Sequence, residues 1–214
     1  MKKIASIQPP KMPARLTEFK KLEDDDDFFI HASIFSHTDF PFFNTDRLTF
    51  EQVIFQNVRF TDEELPQLNL TDAIFESCDL SNADLSNAVI HRAIFKDCKL
   101  TGVNFSDATL RNVVFENCHC NYISFGFADL KQTKFLHTDL RQGDFFEMKQ
   151  SQLQFQQCDI EAVNFTGTEL DGIDLTTSTF DELVITPELL KGCIITSTQA
   201  AAFVSAFGML VKYE

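Results

Sequence analysis

Histidine, cysteine and carboxylate side chains are the groups of this chain that could perform catalysis or bind a metal ion. The five histidines are scattered, and no pair has a spacing suited to a shared metal ion. His119 lies between Cys118 and Cys120, but no Cys-x-x-Cys pair accompanies this weak metal signal. The seven glycines form no phosphate-binding loop. The sequence therefore predicts a protein that is not an enzyme and that has no cofactor or metal.

A five-residue repeat is the feature that must position every side chain. From Ile30 to Ile195, nearly every fifth residue is large and apolar, and the exceptions are Thr45, Cys120 and Gln150. A small residue stands two positions earlier, and the other three positions are mostly polar. Because five is neither a helix period nor a flat-strand period, the repeat predicts a solenoid with turns of Asn, Asp and Ser.

A longer period of twenty residues is superimposed on the repeat. Sorting the large positions in steps of twenty puts seven phenylalanines in one class, which predicts four pentapeptides per coil and one wall with a stacked aromatic ladder. The class consists of Phe35, Phe55, Phe75, Phe95, Phe115, Phe135 and Phe155. Four of the six cysteines also share a class, so we expect reduced, buried thiols that pack rather than disulfides.

The segment from Asp79 to Ala88, DLSNADLSNA, resembles the consensus of the pentapeptide-repeat family. The resemblance covers about 165 residues. It implies an all-β fold, a right-handed quadrilateral β-helix of about eight coils, which we expect over residues 28–185. Residues 41–47 and 62–66 disturb the pattern, and we expect bulges or loose corners there.

The two ends of the chain differ from the repeat. Residues 1–27 form a proline-containing basic leader that ends in the acidic run 23–27, and we expect it to be disordered or to strap across the first coil. Residues 186–214 are expected to cap the open end, with a turn at Pro187, a helix over 199–207 capped by Ser197 or Thr198, and a short strand from Met209. The acidic run itself is interpreted as solvated.

The order of elements after Gly192 (GCII, then QAA, then GMLV) resembles the C-terminal module of Qnr-type proteins. The resemblance implies a homodimer joined through this end, and we expect dimerisation rather than capping alone because the segment is so apolar. The chain lacks long projecting loops and is similar to the loop-free mycobacterial and Gram-positive members. The expected dimerisation residues are Phe203, Phe207, Met209 and Leu210.

The acidic surface is the first candidate for partner binding. The net charge is −14 and the pI about 4.7, which disfavours direct nucleic-acid binding. Carboxylates recur just before the large residue, so they should form columns on a rigid rod. Such columns either confer solubility or imitate DNA phosphates, and the Qnr resemblance favours imitation. The predicted columns contain Asp79, Asp84, Asp129, Asp139, Asp144 and Asp159.

A β-branched stripe is the second candidate surface. Ile54, Ile74, Ile94 and Val114 are twenty residues apart and stand just before the phenylalanine class. They either suit a flat strand ladder or contact a partner, and the sequence leaves both explanations open.

These features together favour a cytoplasmic, DNA-mimicking binding protein. No segment is apolar enough to span a membrane, and no signal peptide is evident. The Qnr resemblance implies DNA gyrase, and possibly topoisomerase IV, as partner, with inhibition of the enzyme or protection from quinolones as the outcome. The alternative is a structural or scaffolding repeat protein, or an immunity factor, with another protein partner.

Overall fold

The chain winds as a parallel β-solenoid. The computed structural model describes residues 6–19, 29–41, 48–207 and 209. Within these residues each long strand pairs with the strand twenty residues later, so that Phe75 pairs with Phe95 and Phe95 with Phe115. Single bridges with the same offset join the other walls. Four pentapeptides therefore make one coil, and the predicted quadrilateral β-helix is confirmed.

The long strands of the central coils form the continuous wall of the solenoid. The main sheet has the strand order β1-β3-β4-β5-β6-β7-β8-β10, with β2 beside β4 and β9 beside β8, and β11 pairs with β12 in a second sheet. In the described part of the chain the elements are β1 (Thr17–Glu18), β2 (Phe29–His31), β3 (Ser33–Ser36), β4 (Thr49–Gln56), β5 (Asn69–Glu76), β6 (Val89–Lys96), β7 (Thr109–Glu116), β8 (Asp129–Leu136), β9 (Lys149–Ser151), β10 (Gln154–Gln156), β11 (Val163–Phe165), β12 (Leu183–Ile185), a 3₁₀ turn (Pro187–Leu189) and α1 (Ala200–Ala206).

The core is a column of stacked rings, as the period of twenty predicts. Successive rings of the seven-membered phenylalanine class are stacked, with centroids 4.5 to 5.4 Å apart. A second ladder stands perpendicular to it and consists of Phe105, Phe125, Phe145 and Phe165. The first ladder also has a member that the repeat does not predict, because Phe19 stacks on Phe35 at 4.3 Å.

The corners of the solenoid use left-handed backbone. The residue two positions after a large inward residue has a positive φ in almost every pentapeptide, between 46° and 61° for the non-glycine residues. Asp62 follows this rule with φ 59°, and Glu64 pairs with Asp84 as in any other coil. The expectation of a loose corner at 62–66 is therefore wrong. The other expected disturbance, at 41–47, lies outside the described residues apart from Pro41.

Cys120 and Gln150, two of the exceptions to the repeat of large apolar residues, differ in how they fill the inward position. Cys120 is fully buried and fills a large inward position. Gln150 donates from Nε2 to the carbonyl oxygens of Glu169 and Asp171, both at 3.3 Å, in place of apolar packing. A cleft of about 470 Å³ opens at this point of the wall, beside Lys149.

The cysteines pack as the sequence predicts. All six are free, and five of them are buried. Cys78 and Cys118 donate to the carbonyl oxygens of Phe55 and Phe95, both at 3.3 Å, and Thr138 makes the same bond to Phe115 one coil later. The small inward position in this column is therefore filled by a side chain that bonds to the preceding coil.

Candidate partner-binding surface

The carboxylates that precede the large inward residues stabilise turns of the solenoid. Asp79 and Asp84 accept hydrogen bonds, both of 3.0 Å, from the backbone N–H groups of Ser81 and Ser86 two residues later. Asn104 Oδ1 accepts the equivalent hydrogen bond from the Ser106 N–H, also at 3.0 Å. This is the Asx-turn geometry, which favours Asp and Asn alike. The turn explains why a short polar residue stands here, but it does not require a charge.

One wall of the solenoid carries a column that contains both acids and bases. We call it the paired column, and its successive members are Asp39, Arg59, Asp79, Lys99, His119, Asp139, Asp159 and Thr179. Lys99 lies 3.3 Å from Asp79, and Arg141 lies 2.6 Å from Asp139 and 3.6 Å from Asp159. Three predicted partner-binding residues, Asp79, Asp139 and Asp159, therefore already have a cationic partner within the chain.

The ion pairs also fix the protonation of these acids. Partial burial raises the pKa of Asp139, but hydrogen bonds from Arg141 and Asn121 outweigh it, so its pKa lies below the ordinary value. Asp79 has a lowered pKa for the same reason, through Ser81 and Lys99. Both carboxylates are thus ionised at neutral pH, yet the neighbouring cations reduce the field that they project.

Asp129 lies on a different wall and is also paired. The Arg111 guanidinium donates from Nη1 to its Oδ1 at 3.0 Å and to its backbone oxygen at 2.7 Å. Asp129 therefore stands apart from the other predicted acids.

A second wall bears the remaining two predicted acids and, among the residues that the structure describes, no cation. Its central column, which we call the anionic column, consists of Glu64, Asp84, Asn104, Ser124, Asp144 and Asn164. The amides of Asn104 and Asn164 donate to the carboxylates of Asp84 and Asp144 at 2.9 and 2.8 Å. At the adjoining corner, Asp107 and Glu147 add two exposed carboxylates. Among the described residues, no ion pair involves any of these acids.

The β-branched stripe exists as one ladder. Ile54 pairs with Ile74, Ile74 with Ile94, and Ile94 with Val114. All four side chains are partly exposed, and Lys134 follows in the next coil. Its geometry agrees with the sequence prediction, whereas a role in partner contact stays a prediction.

The N-terminal segment 6–19, which we call the strap, runs along the solenoid beside this stripe. The backbone N–H of Gln8 donates to Asn112 Oδ1 at 2.9 Å, and that of Lys11 donates to Asp72 Oδ1 at 2.8 Å. Gln52 donates to the Lys11 carbonyl oxygen at 2.9 Å. Three residues of extended chain span about 10 Å, which matches the two coils between Asn112 and Asp72. Residues 8–11 of the strap therefore follow the axis of the rod, with their main chain held by corner side chains, whereas Thr17–Glu18 pairs with β3 as a strand.

The corner residues that hold the strap are unusually well buried. Asp72 is 3% exposed and Asn112 is 6% exposed, whereas most corner residues face solvent. Arg92 binds Asp72 through two nitrogens, at 2.5 and 2.7 Å. Burial raises the pKa of Asp72, but the Arg92 and Lys11 hydrogen bonds together lower it below the ordinary value. Burial and the neighbouring Arg92 lower the pKa of His91.

The repeat pattern does not reveal the strap site. It assigns these positions only to a polar corner, where Asp and Asn are common. The available signal was weaker: Asp72 and Arg92 are one coil apart in a single column, a spacing at which opposite charges meet.

The C-terminal segment closes the open end of the solenoid. Thr196 and Gln199 form a capping box, since Thr196 Oγ1 accepts from the Gln199 N–H at 3.2 Å and Gln199 Oε1 accepts from the Thr196 N–H at 2.9 Å. The predicted caps, Ser197 and Thr198, are therefore wrong by one or two residues. Gln199 Nε2 also donates to the carbonyl oxygens of Leu175 and Ser178, which ties the helix to the last coil.

The predicted dimerisation residues separate into two groups. Phe203 is 7% exposed and packs edge-on against Phe180, so it serves the cap. Phe207 and Met209 are exposed, at 55% and 53%. Leu210 and the predicted strand from Met209 lie outside the described residues, except for Met209 itself. Dimerisation stays a prediction.

Residues 6–19, 29–41, 48–207 and 209 contain no cluster of metal-binding side chains. No three His, Cys, Asp or Glu side chains there lie close enough together to hold a metal ion. In the same residues, no helix has the length and apolar character needed to cross a membrane.

Sequence and structure comparisons agree on the class of the fold. Residues 68–145 match the family described as the pentapeptide repeat region, and no curated protein sequence matches the chain. The fold is therefore of the pentapeptide-repeat β-helix type, and residues 68–145 carry the family match.

Among solved structures, the chain is similar to trypsin-treated QnrB1, a plasmid-mediated fluoroquinolone resistance protein. The two are 20% identical, the match covers 86% of this chain and 90% of QnrB1, and the TM-score is 0.51. HetL, a pentapeptide repeat protein involved in heterocyst differentiation regulation in the cyanobacterium Nostoc, is 16% identical over 78% of this chain and 86% of HetL, with a TM-score of 0.36.

Proposed function

We propose that this protein is a DNA mimic that binds DNA gyrase, and possibly topoisomerase IV, and thereby inhibits the enzyme or protects it from quinolones. The observation that carries the proposal is the wall with Glu64, Asp84, Asp107, Asp144 and Glu147, which has no lysine or arginine among its described residues. A rigid rod with fixed negative charge on one wall suits a groove that is built for DNA phosphates. The C-terminal Qnr resemblance and the QnrB1-like fold support the choice of partner.

The charge density of the rod is comparable with that of duplex DNA. A net charge of −14 over about eight coils, each rising roughly 4.8 Å, corresponds to one charge per about 2.7 Å. Duplex DNA carries one charge per roughly 1.7 Å of axis. The partner's lysine and arginine side chains would therefore meet a field within about a factor of two of that of DNA, and encounter would be steered by it.

The structure supplies charge-neutral substitutions that preserve the turns. Asn104 and Asn164 occupy the anionic column and make the same hydrogen bonds as an aspartate, so Asp84→Asn with Asp144→Asn should keep the fold. Asp79→Asn with Asp159→Asn removes two charges from the paired column and is the matched control. Because exposed charge pairs contribute up to about 1 kcal/mol each, the first double variant should weaken the interaction roughly tenfold and the control less.

The experiment is a gyrase supercoiling assay titrated with the wild type and both double variants, with and without a fluoroquinolone. Inhibition or drug rescue by the wild type, with a selective loss in the Asp84/Asp144 variant, supports the proposal. An equal loss of the effect on gyrase in both variants would exclude the anionic column as the contact surface. No effect of the wild type on gyrase or topoisomerase IV would contradict the proposal and favour a scaffolding role with another partner.

Dimerisation through the C-terminal end is part of the proposal. Phe207 and Met209 provide exposed apolar surface there, and a two-fold dimer would join two rods into one longer rod. Sedimentation of the wild type and of Phe207→Ser tests this directly. A monomeric wild type would contradict it.

A further inference from the structure

Two phenylalanines outside the core meet on the surface of the solenoid. Phe127 is 52% exposed, and its ring centroid lies 5.3 Å from that of the partly exposed Phe146, at an angle of 82°. The Phe127 N–H donates to the Phe146 carbonyl oxygen at 2.9 Å, so the two residues are neighbours on successive coils. The pair lies at one edge of the wall that bears the anionic column.

The fold does not account for a phenyl ring at position 127. Phe127 is a corner residue with φ 59°, a backbone conformation that disfavours bulky side chains. The same corner is occupied in other coils by Gln67, Asn87 and Asp107, which suit left-handed backbone better. Phe127 therefore adds strain and exposed apolar surface while contributing nothing to the core. An exposed aromatic residue of this kind points to a contact surface.

Two carboxylates occupy the same corner as Phe127 on the two neighbouring coils. Asp107 precedes Phe127 by one coil and Glu147 follows it by one coil, each roughly 4.8 Å away along the axis. Both side chains are exposed, and within the described residues neither forms an ion pair. A cation placed over the Phe127 ring would thus face the ring quadrupole and two negative charges together.

We propose that Phe127, Phe146, Asp107 and Glu147 form a binding site for an arginine side chain of a protein partner. Arginine fits better than lysine because its planar guanidinium can stack on a ring and still donate hydrogen bonds from its edge to carboxylates. The site lies outside the predicted acidic columns. It goes beyond the topoisomerase proposal, since it specifies the chemistry of the contact whatever protein supplies the arginine.

A ligand titration followed by amide NMR of the full-length protein tests the site without any topoisomerase. The probe is N-acetyl-arginine amide, with the neutral isostere N-acetyl-citrulline amide as control. We expect saturable, millimolar shifts of the amides of Asp107, Phe127, Phe146 and Glu147 with the arginine probe only. Shifts spread evenly over all acidic walls, or equal shifts with the citrulline probe, would overturn the proposal.

Phe127→Asn separates binding from folding, because Asn suits the left-handed corner. It should leave the thermal midpoint unchanged or higher and weaken arginine binding by about threefold or more. The matched control is Tyr122→Asn, which removes another exposed corner aromatic, with φ 61°, and should leave binding unchanged. Asp107→Asn with Glu147→Gln is a second test and should weaken binding at least as much. Arginine binding that survives both the Phe127 and the double variant would disprove the site.

Discussion

Arg92 binds Asp72 on the preceding coil with two hydrogen bonds, and the same carboxylate accepts the backbone N–H of Lys11. A buried ion pair of the solenoid thereby holds the N-terminal strap against its corner. Removing one partner of a buried pair leaves an uncompensated charge, so this contact should be among the more sensitive in the molecule. The contact of the strap with this corner therefore depends on the ionisation of Asp72.

The strap should be released by removing one backbone donor. Lys11→Pro deletes the N–H that bonds Asp72, whereas Lys11→Ala retains it and serves as the control. We expect a loss of about 1 kcal/mol in the free energy of unfolding and faster tryptic cleavage after Arg15 in the proline variant only. Equal cleavage rates in the two variants would show that the hydrogen bond does not hold the strap.

Acid should weaken the contact between Asp72 and the strap. The folded pKa of Asp72 lies below its ordinary value, so its contribution to stability is complete above about pH 4, the unfolded value, and declines as the pH falls through the folded pKa. Asp72→Asn should lower stability at pH 7 by roughly 2 kcal/mol, with the difference from wild type shrinking toward pH 2. Denaturant titrations at several pH values measure it, and a pH-independent difference would refute the assignment.

The phenylalanine ladder should dominate the stability of the central coils. Phe115 is fully buried and stacks on Phe95 and Phe135 at 4.9 and 4.8 Å. Phe115→Ala should cost about 3–5 kcal/mol and Phe115→Leu about 1–2 kcal/mol, because leucine fills most of the space but cannot stack. Chemical denaturation gives both values. If the leucine variant were as unstable as the alanine variant, stacking geometry rather than volume would control the core.

The buried thiols should resist modification in the folded protein. The hydrogen bond with Cys118 and burial raise the pKa of Cys98 to about 12, and burial raises that of Cys193 to about 11. At pH 8 both remain protonated, and the thiolate is the reactive form. A thiol-reactive chromophore should label the native protein slowly, first at the partly exposed Cys193, and all six cysteines after denaturation. Rapid native labelling of Cys98 would contradict the packing.

Much of the fold could be predicted because a solenoid is nearly one-dimensional. Each coil contacts mainly its neighbours, so the period of five and the period of twenty specify the inward residues, the ring ladder and the column positions. The wrong prediction of a loose corner at 62–66 also came from reading the sequence as a strict repeat. The polar residues there looked like a disturbance, although the corner accepts most polar side chains in left-handed backbone.

The periods of five and twenty residues are enough to predict the coil, the stacked core and which residues share a column. The period of twenty even placed Arg59 and Lys99 among the acids of the paired column. Which carboxylates are neutralised across a corner, as Asp139 and Asp159 are by Arg141, and where the strap lies become visible only in the three-dimensional contacts. The strap has no repeat, and the side chains that bind its main chain are 41 to 104 positions away, so no local pattern records the contact.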